Sequence, residues 1–254
     1  MTDMRNASID VQGLSVSYGD GNPPALDHIS LSVGAGTVCA VIGPSGCGKS
    51  TLLRVIAGLQ KPTAGDVLIG GSPVNPKAQK IGFVPQNYGL LPWRTVEENI
   101  LLGCRIRGEM EQDTMERMFA LMELLGIRGL GERYPRELSG GQQQRVSLAR
   151  SFLLRTDVLL MDEPFSALDA ITREDMQEVF LELWQRHGVT TMLVTHYVEE
   201  ALYLGQKIVL MSANPGRIGK ILENPLFGSS EKRQKPEFFA MGREIRNLIK
   251  GKGL

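Results

Sequence analysis

The chain has 254 residues, of which 42% are hydrophobic and 6% aromatic, and its 28 basic residues balance 28 acidic ones. This composition excludes fibrous and disordered classes and favours a folded α/β protein, while the zero net charge argues against nucleic acid as the main partner. No apolar run reaches the roughly 18 residues of a membrane span, and the polar N-terminal stretch is unlike a secretory signal. Three cysteines without metal-ligand spacing predict neither a disulfide scaffold nor a zinc site.

The N-terminal third of the sequence has the pattern of short strands around one helix. Alternating apolar positions predict two half-buried strands, and shorter apolar runs predict buried ones. A helix over residues 49–59 follows a glycine-rich loop. The predicted strands of this part are 9–16, 26–33, 37–42, 66–69 and 80–85.

Residues 87–154 change to a helical pattern, after which strands and helices alternate again. Apolar strands at 157–161 and 190–195 flank a helix at 172–187. Such alternation predicts right-handed β-α-β crossovers and a mainly parallel sheet. Residues 224–236 are predicted to form a loop, followed by a short amphipathic helix.

The glycine-rich stretch between a buried strand and its helix fits the eight-residue pattern of a phosphate-binding loop. Its glycines let backbone N–H groups turn around the phosphates, and the helix that follows adds the positive end of its dipole. Lys49 supplies a charge for the β- and γ-phosphates, and Ser50 offers a hydroxyl to Mg²⁺. The sequence therefore predicts that the chain binds a nucleoside triphosphate. The residues predicted to bind it are Gly43, Pro44, Ser45, Gly46, Cys47, Gly48, Lys49, Ser50 and Thr51.

A pair of carboxylates follows the later apolar run at 158–161. At the carboxyl edge of a parallel sheet, beside the phosphate-binding loop, Asp162 is placed to hold Mg²⁺. Glu163, one position further, can orient or deprotonate a water that attacks the γ-phosphorus. In isolation such a pair is equally a turn or helix cap, but beside this loop it predicts hydrolysis of the triphosphate.

A second helix start decides the class of protein. Ser139 is a good N-cap residue, and Gly140 and Gly141 open the helix. Exposed N–H groups and a hydroxyl at a helix start suit a further phosphate. Together with the phosphate-binding loop, this stretch resembles the signature of the ATP-binding cassette (ABC) ATPases, and the resemblance covers nearly the whole chain. The signature residues are Leu138, Ser139, Gly140, Gly141 and Gln142.

The resemblance implies roles for residues elsewhere in the chain. Gln86 is similar to the glutamine that contacts Mg²⁺ and links two subdomains, and Tyr18 to an aromatic residue that stacks on adenine, although a strand-face aromatic is the alternative for Tyr18. Ser166 and Asp169 match a loop that crosses the dimer interface. His196 matches the histidine that contacts the γ-phosphate.

The resemblance also implies the fold, an α/β P-loop NTPase with a mainly parallel core sheet, an N-terminal antiparallel β subdomain and an inserted helical subdomain. The ATPase domain would span 9–225, with a RecA-like core at 9–86 and 155–225 and the helical subdomain at 87–154. Residues 226–254 would form a C-terminal loop and helix.

The mechanism implied by the resemblance needs two copies of the chain. They pack head to tail, so that each ATP lies between the phosphate-binding loop of one copy and the Ser139–Gln142 stretch of the other. ATP with Mg²⁺ joins the copies. Hydrolysis, with Glu163, His196 and Gln86 in the catalytic roles, releases them.

A transporter role would require separate permease subunits, with this chain at the cytoplasmic face of the plasma (inner) membrane. Leu90, Leu91 and Trp93 lie where importer ATPases receive a permease helix, and burial inside the helical subdomain is the alternative. Around these residues and at 211–218 and 237–245, the chain is similar to ATPase subunits of nitrate, sulfonate and taurine importers, which have a solute-binding protein as an indirect partner.

Other interpretations stay open at this point. Non-transport ABC ATPases act in DNA repair or translation, but they generally carry two cassettes or a very long coiled coil, whereas here about 90 residues separate Lys49 from Ser139. An importer ATPase for another small organic solute is a further alternative, since Asn214 stands where an arginine is expected. Cys47 is either a thiol-reactive residue or a small buried one.

Overall fold

A computed structural model describes residues 6–19, 23–228 and 230–252. Within these ranges ten strands form two sheets, with eight α-helices around them. The strands are β1 (Ile9–Val16), β2 (Leu26–Val33), β3 (Val38–Ile42), β4 (Ala64–Ile69), β5 (Ser72–Pro73), β6 (Ile81–Val84), β7 (Val158–Asp162), β8 (Thr190–Thr195), β9 (Lys207–Ser212) and β10 (Arg217–Glu223). The helices are α1 (Lys49–Ile56), α2 (Val96–Arg107), α3 (Thr114–Leu124), α4 (Gly140–Leu153), α5 (Ala170–His187), α6 (Val198–Leu204), α7 (Ser230–Arg233) and α8 (Pro236–Asn247).

The smaller sheet is antiparallel, with the strand order β2-β1-β4-β5. One of its faces packs on the core, so buried and more exposed positions alternate along β1 and β2. Ile9, Val11, Leu14 and Val16 are the buried side chains of β1. A bulge between Val11 and Leu14 shifts the alternation by one residue. The apolar pattern predicted both strands within their observed bounds.

The larger sheet has the order β10-β9-β3-β8-β7-β6, in which β9, β3, β8, β7 and β6 are parallel and β10 pairs antiparallel with β9. Strands β3 and β8 are fully buried, which explains their continuous apolar sequences. The predicted fold class, α/β with a mainly parallel core sheet, is confirmed. Because these strands are parallel, the loops after β3, β6, β7 and β8 leave the sheet at the same edge, and the candidate functional residues lie there.

Helices α2, α3 and α4 are inserted between β6 and β7 and share a core that includes the buried Ile100, Met118 and Met122. Helix α2 begins with a capping box, in which the Thr95 hydroxyl accepts the Glu98 N–H and the Glu98 carboxylate accepts the Thr95 N–H. This insertion has the helical character that the sequence predicts for it.

The C-terminal segment packs back on α6. Phe238 and Ile245 of α8 are buried, and Gly242 lies against side chains of α6. The predicted loop at 224–236 was wrong in part, because the short helix α7 lies within it. None of the described helices is long and apolar enough to cross a bilayer.

Candidate active site

The phosphate-binding loop joins β3 to α1 at the carboxyl edge of the larger sheet. Gly43 has no room for a side chain, since a Cβ atom there would lie 2.5 Å from the Met211 carbonyl oxygen and 2.8 Å from the Cys47 Sγ. Gly48, with a φ of 89°, is the N-cap of α1, and no described side chain caps this helix. The first N–H groups of α1 are therefore left for a ligand, and the helix dipole favours an anion.

Lys49 lies inside this loop and is only 7% exposed. Its ammonium donates hydrogen bonds to the carbonyl oxygens of Gly43 at 2.8 Å and Pro44 at 3.0 Å. The loop therefore carries a positive charge within its own ring of backbone atoms. Burial raises the pKa of the Cys47 thiol, against the opposing charge of Lys49, so Cys47 is a small buried residue rather than a reactive thiolate.

Ser50 and Asp162 bring a hydroxyl and a carboxylate together beside the loop, with the Ser50 Oγ donating to the Asp162 Oδ1 at 2.9 Å. Burial raises the pKa of Asp162, the bond from Ser50 opposes this, and the charge of Glu163 adds to the rise. Mg²⁺ prefers such oxygen ligands and usually shares its shell with phosphate and water. No group of three or more His, Cys, Asp or Glu suited to a metal occurs among the described residues. The pair thus fits a magnesium ion that a bound phosphate helps to hold.

Glu163 follows β7 in a left-handed backbone conformation, with a φ of 48°. Such strain costs a non-glycine residue about 1–3 kcal/mol and is typical of functional sites. The Glu163 Oε2 lies 3.1 Å from the His196 Nδ1 and accepts a long hydrogen bond from the Gln86 Nε2 at 3.4 Å. The structure therefore brings Gln86, Glu163 and His196 together from the loops after β6, β7 and β8.

The segment after Glu163 contains the two residues predicted at a dimer interface. The Ser166 Oγ donates to the Glu163 carbonyl oxygen at 2.9 Å and lies 3.4 Å from the Gln86 Nε2. Asp169 is the N-cap of α5, and hydrogen bonds from the Thr172 hydroxyl and N–H lower the pKa of its carboxyl. Within one chain Asp169 is therefore a helix cap, and its contact with a second copy stays a prediction.

Arg173 fixes this segment, and the sequence analysis missed it. Its guanidinium donates to the carbonyl oxygens of Leu168 at 2.8 Å and Phe165 at 3.2 Å, and it lies 4.1 Å from the centre of the Tyr197 ring. The Tyr197 ring in turn packs on His196, with 4.0 Å between the ring centres. Arg173 thus connects the segment before α5 to the loop that carries the histidine.

The start of α4 carries the signature residues as a fully capped helix end. The Ser139 Oγ accepts the Gln142 N–H at 3.3 Å, and the Gln142 Oε1 accepts the Ser139 N–H at 2.9 Å. Ser139 and Gly140 are exposed, and Gly141 is partly so. No hydrogen bond in the described part of the chain joins this stretch to the phosphate-binding loop. The structure does not bring the two motifs together within one chain.

Tyr18 lies beside α1, beyond the end of β1. Its hydroxyl is 2.9 Å from the Thr51 Oγ1 and donates to the Gln60 Oε1 at 3.1 Å. Tyr18 lies outside β1 and its side chain is 64% exposed, so the alternative of a strand-face aromatic does not apply. An exposed ring next to the phosphate-binding helix is available for stacking.

The predicted docking residues lie between the Gln86 loop and α2. Trp93 is 69% exposed, so the alternative of a core residue is wrong for it, while Leu90 and Leu91 are partly buried. Asn99, another residue that the sequence analysis missed, builds this turn: its buried amide donates to the carbonyl oxygens of Leu91 at 3.1 Å and Thr95 at 2.9 Å.

Comparison with known proteins gives a consistent result along the chain. A family model described as "ABC transporter" matches residues 26–166, a range that includes the phosphate-binding loop, the signature stretch and both carboxylates. The chain is 43% identical over 246 residues to the taurine import ATP-binding protein TauB of Chromobacterium violaceum, with 94% of each chain covered. It is 44% identical over 206 residues to the aliphatic sulfonates import ATP-binding protein SsuB of Bacillus cereus, with 81% of each covered. It is 39% identical over 240 residues to the nitrate import ATP-binding protein NrtD of Synechocystis sp., with 91% of this chain and 90% of that one covered.

Solved structures agree with these relatives. The dimeric structure of MJ0796, described as a bacterial ABC transporter cassette, has a TM-score of 0.75 at 30% identity and covers 85% of this chain and 98% of that one. A dimeric post-hydrolysis state of the same cassette, bound to ADP and Pi, has a TM-score of 0.73 at 29% identity over the same shares of the two chains.

Proposed function

This chain is an ATP hydrolase of the ABC transporter family, and from that premise we propose that it powers import of a small solute, a sulfonate, taurine or nitrate, through two separate permease subunits. The observation that carries the ATP-driven part of the proposal is the convergence of Gln86, Glu163 and His196. They meet at the edge of the sheet where the phosphate-binding loop also lies. The names of the relatives, which this chain matches over most of their length, support the solute class.

ATP binds with its phosphates against α1. The uncapped N–H groups and Lys49 attract the β- and γ-phosphates, and the exposed Tyr18 ring stacks on the adenine. Ser50 and Asp162 would hold Mg²⁺, and Gln86 would offer it a further oxygen. When bound, the ion neutralises charge on the β- and γ-phosphate oxygens.

Glu163 does the proton chemistry of hydrolysis. Its carboxylate orients a water and accepts a proton as the water oxygen bonds to the γ-phosphorus. The bond from that phosphorus to the bridging oxygen breaks, leaving ADP and inorganic phosphate. His196, 3.1 Å from the same carboxylate, contacts the γ-phosphate and keeps Glu163 aimed at the water.

The second half of the site comes from another copy of the chain. Ser139, Gly140, Gly141 and Gln142 form an exposed helix start with no hydrogen bond to the loop of their own chain in the described residues, and the similar cassette MJ0796 is dimeric. Both facts support a head-to-tail homodimer in which this helix start contacts the γ-phosphate of the ATP bound to the other copy. Ser166 and Asp169 then lie at the interface.

The permease binds on the helical insertion, at Leu90, Leu91 and Trp93. The exposure of Trp93 supports this assignment, because tryptophan is enriched among the residues that dominate binding at protein interfaces. Trp93 is also only a few residues beyond Gln86, so a permease contact there lies close in sequence to a residue of the active site. The chain would thus lie peripherally at the cytoplasmic face of the plasma membrane, and a solute-binding protein would act with it only through the permease.

Purification of the tagged chain from membranes of its own cells tests this function. We expect a permease and a solute-binding protein to co-purify, and Trp93→Ala to weaken that association while ATP binding stays unchanged. Ile106→Ala is the matched control, since Ile106 is a similarly exposed apolar residue of α2, and it should change neither. Recovery of DNA or ribosomes in place of a permease would contradict the transport role, and equal loss of both properties in Trp93→Ala would contradict the docking site.

A further inference from the structure

The phosphate-binding loop packs against the turn that joins β9 to β10, residues 213–216, which is defined here as the β9–β10 turn. Gly216 is the last residue of this turn. A Cβ atom on Gly216 would lie 2.3 Å from the Cys47 carbonyl oxygen and 2.6 Å from the Ala25 carbonyl oxygen, so no side chain fits there. The backbone of the turn is therefore in contact with the Cys47 carbonyl group of the loop.

The start of β2 contacts the same loop and the same turn. Leu26 is fully buried, and a Cβ atom on Gly48 would lie 2.5 Å from the Leu26 Cδ2. The backbone of Leu26 pairs with that of Gly216 in a parallel bridge, and the Asp27 N–H donates to the Gly216 carbonyl oxygen at 2.9 Å. Since β2 belongs to the smaller sheet and β10 to the larger one, these contacts join the two sheets beside the phosphate-binding loop.

An ion pair holds the start of β2 to the start of β10. The Arg217 Nε and Nη2 donate to the Asp27 Oδ2 at 2.9 and 2.5 Å, and the Asp27 Oδ1 lies 2.6 Å from the His28 Nδ1. The bonds with His28 and Arg217 lower the pKa of the Asp27 carboxyl, so Asp27 is ionised at neutral pH. The Arg217 side chain is 62% exposed and that of Asp27 16%, so the pair lies at the surface, outside the hydrophobic core.

The place of this ion pair separates it from other surface pairs, which contribute little to stability. Asp27 and Arg217 directly follow Leu26 and Gly216, the two residues that lie against the phosphate-binding loop. The guanidinium bonds the carboxylate through two nitrogen atoms, which fixes the relative orientation of the two segments. The pair is therefore placed to hold both contacts with the loop.

The position of the Cys47 carbonyl group decides where a phosphate-binding N–H group points. A trans peptide unit is planar, so the Cys47 oxygen and the Gly48 N–H point in opposite directions from one rigid unit. With the Cys47 oxygen against Gly216, the Gly48 N–H points away from the β9–β10 turn. Gly48 is the N-cap of α1, so this N–H belongs to the group of donors that is proposed to receive the phosphates.

We infer that Asp27 and Arg217 are positioning residues for the phosphate-binding loop. Their ion pair holds the start of β2 and the β9–β10 turn together, and these two segments keep the Cys47–Gly48 peptide in the direction that phosphate binding needs. Both side chains act on ATP through the loop. The inference rests on the nucleotide site of the proposed function and adds two residues that set its affinity.

Arg217→Ala tests the inference by removing the ion pair. The dissociation constant for a fluorescent ATP analogue and the KM for ATP should rise about fivefold, a factor typical of one partly exposed ion pair. The kcat at saturating ATP should stay within about twofold, because bound phosphates restore the direction of the peptide. Arg217→Lys keeps the charge without the two adjacent donors, so its affinity should fall between those of Arg217→Ala and the parent. Asp27→Ala/Arg217→Ala should lose no more affinity than Asp27→Ala.

Inorganic triphosphate shows which part of the nucleotide the ion pair affects. It lacks adenine and competes with the fluorescent analogue for the loop. Its inhibition constant should rise in Arg217→Ala by the same factor as the dissociation constant of the analogue. Tyr18→Ala, by contrast, should weaken ATP binding and leave the binding of inorganic triphosphate unchanged, since the Tyr18 ring is assigned to adenine.

Lys220→Ala is the matched control. Lys220 lies on the same strand as Arg217, and its ion pair with Glu244 at 3.5 Å joins β10 to α8, so its loss should leave ATP affinity and KM at the parental values. Gly216→Ala should weaken the binding of both ligands more strongly, by about 10- to 100-fold, because its Cβ would overlap a carbonyl oxygen of the loop. Gly129→Ala, where a Cβ would meet no atom within 4 Å, should bind both as the parent does.

Parental ATP affinity in Arg217→Ala would overturn the inference, as would an equal loss in Lys220→Ala. A loss for ATP with none for inorganic triphosphate would also overturn it, since the pair would then act on the adenine side. Lys49→Ala checks the site itself. If that variant binds both ligands as the parent does, the proposed nucleotide site fails and the inference fails with it. If it loses both while Arg217→Ala behaves as the parent, the inference alone is wrong.

Discussion

Two helix N-termini in this protein are suited to bind phosphate, and they differ in whether a side chain caps their first N–H groups. Helix α1 begins at Gly48 without a described side-chain cap, with Lys49 inside the loop and the Ser50–Asp162 pair beside it. Helix α4 begins with a reciprocal cap between Ser139 and Gln142 and has no hydrogen bond to that loop in the residues described. In the proposed dimer the first helix start binds ATP with groups of its own chain, whereas the second contacts only the ATP that is bound to the other copy.

The largest effect is expected at the α1 start. Lys49→Ala removes the charge inside the loop, so ATP affinity should fall at least about 100-fold and hydrolysis should reach background. Equilibrium binding of a fluorescent ATP analogue and phosphate release measure both quantities. Lys61→Ala, at an exposed lysine beyond α1, should behave as the parent. Parental ATP affinity in Lys49→Ala would mean that this loop is not the nucleotide site.

Glu163→Gln tests ATP hydrolysis separately from ATP binding at the site beside α1. Loss of the carboxylate should lower hydrolysis about 100- to 1,000-fold, while ATP binding persists because the loop is intact. Glu199→Gln, at a carboxylate of α6 that pairs with Arg246, is the control and should hydrolyse ATP at the parental rate. Turnover by Glu163→Gln at that rate would contradict its assignment as the base.

A smaller effect is expected at the α4 start, where Ser139→Ala can be compared with Thr95→Ala. Both serve as the N-cap in a capping box, and each substitution should lower the free energy of unfolding by about 1 kcal/mol. Only Ser139→Ala should also lower hydrolysis, by about tenfold. Thermal unfolding and phosphate release measure the two effects. Equal activity in the two variants would mean that the α4 start is a helix cap and no more.

The smallest effect on ATP hydrolysis is expected at Glu200, a buried residue of α6 a few positions after His196. Burial raises the pKa of its carboxyl to about 8, and Thr195, Arg173 and Arg233 nearby oppose the rise while Glu163 adds to it. Between pH 4.5 and 8 the folded protein holds a proton that the unfolded chain has lost, so stability falls as pH rises through this window. Glu200→Gln has no carboxyl that titrates, so it should remove this loss of stability.

Glu200→Gln should therefore raise the free energy of unfolding by roughly 2–4 kcal/mol above pH 8 and change it little below pH 4.5. Denaturant unfolding at several pH values is the measurement. A constant difference between parent and variant at every pH would show that the carboxyl does not titrate in this window.

Much of the fold and the α1 side of the site follow from the sequence, because their signals are local. The glycine pattern before Lys49 and the apolar strand before Asp162 are continuous motifs, and the parallel topology brings them to one edge. Strands β9 and β10 were both missed. Strand β10 is an exposed edge strand with little apolar alternation, whereas β9 has a short apolar run of the kind that predicts a buried strand. Asn214, which departs from the expected arginine, has a φ of 59°, a region that asparagine tolerates well.

Two side chains that the sequence analysis did not identify share one property. Asn99 and Arg173 both donate hydrogen bonds to backbone carbonyl groups of loops. Any loop offers such acceptors, so no residue pattern reveals which side chain will reach which loop. Their partners become known only when the packing of the helices on the sheet is known.

The most direct test of the divided site is ATP-driven dimerisation measured by light scattering. Glu163→Gln should be a monomer alone and a dimer with ATP and Mg²⁺. Glu163→Gln/Ser139→Arg should bind ATP with the same affinity and remain a monomer, because the bulky charge blocks the α4 start. Dimerisation of this double variant, or a Glu163→Gln protein that stays monomeric when saturated with ATP, would contradict a site shared between two copies.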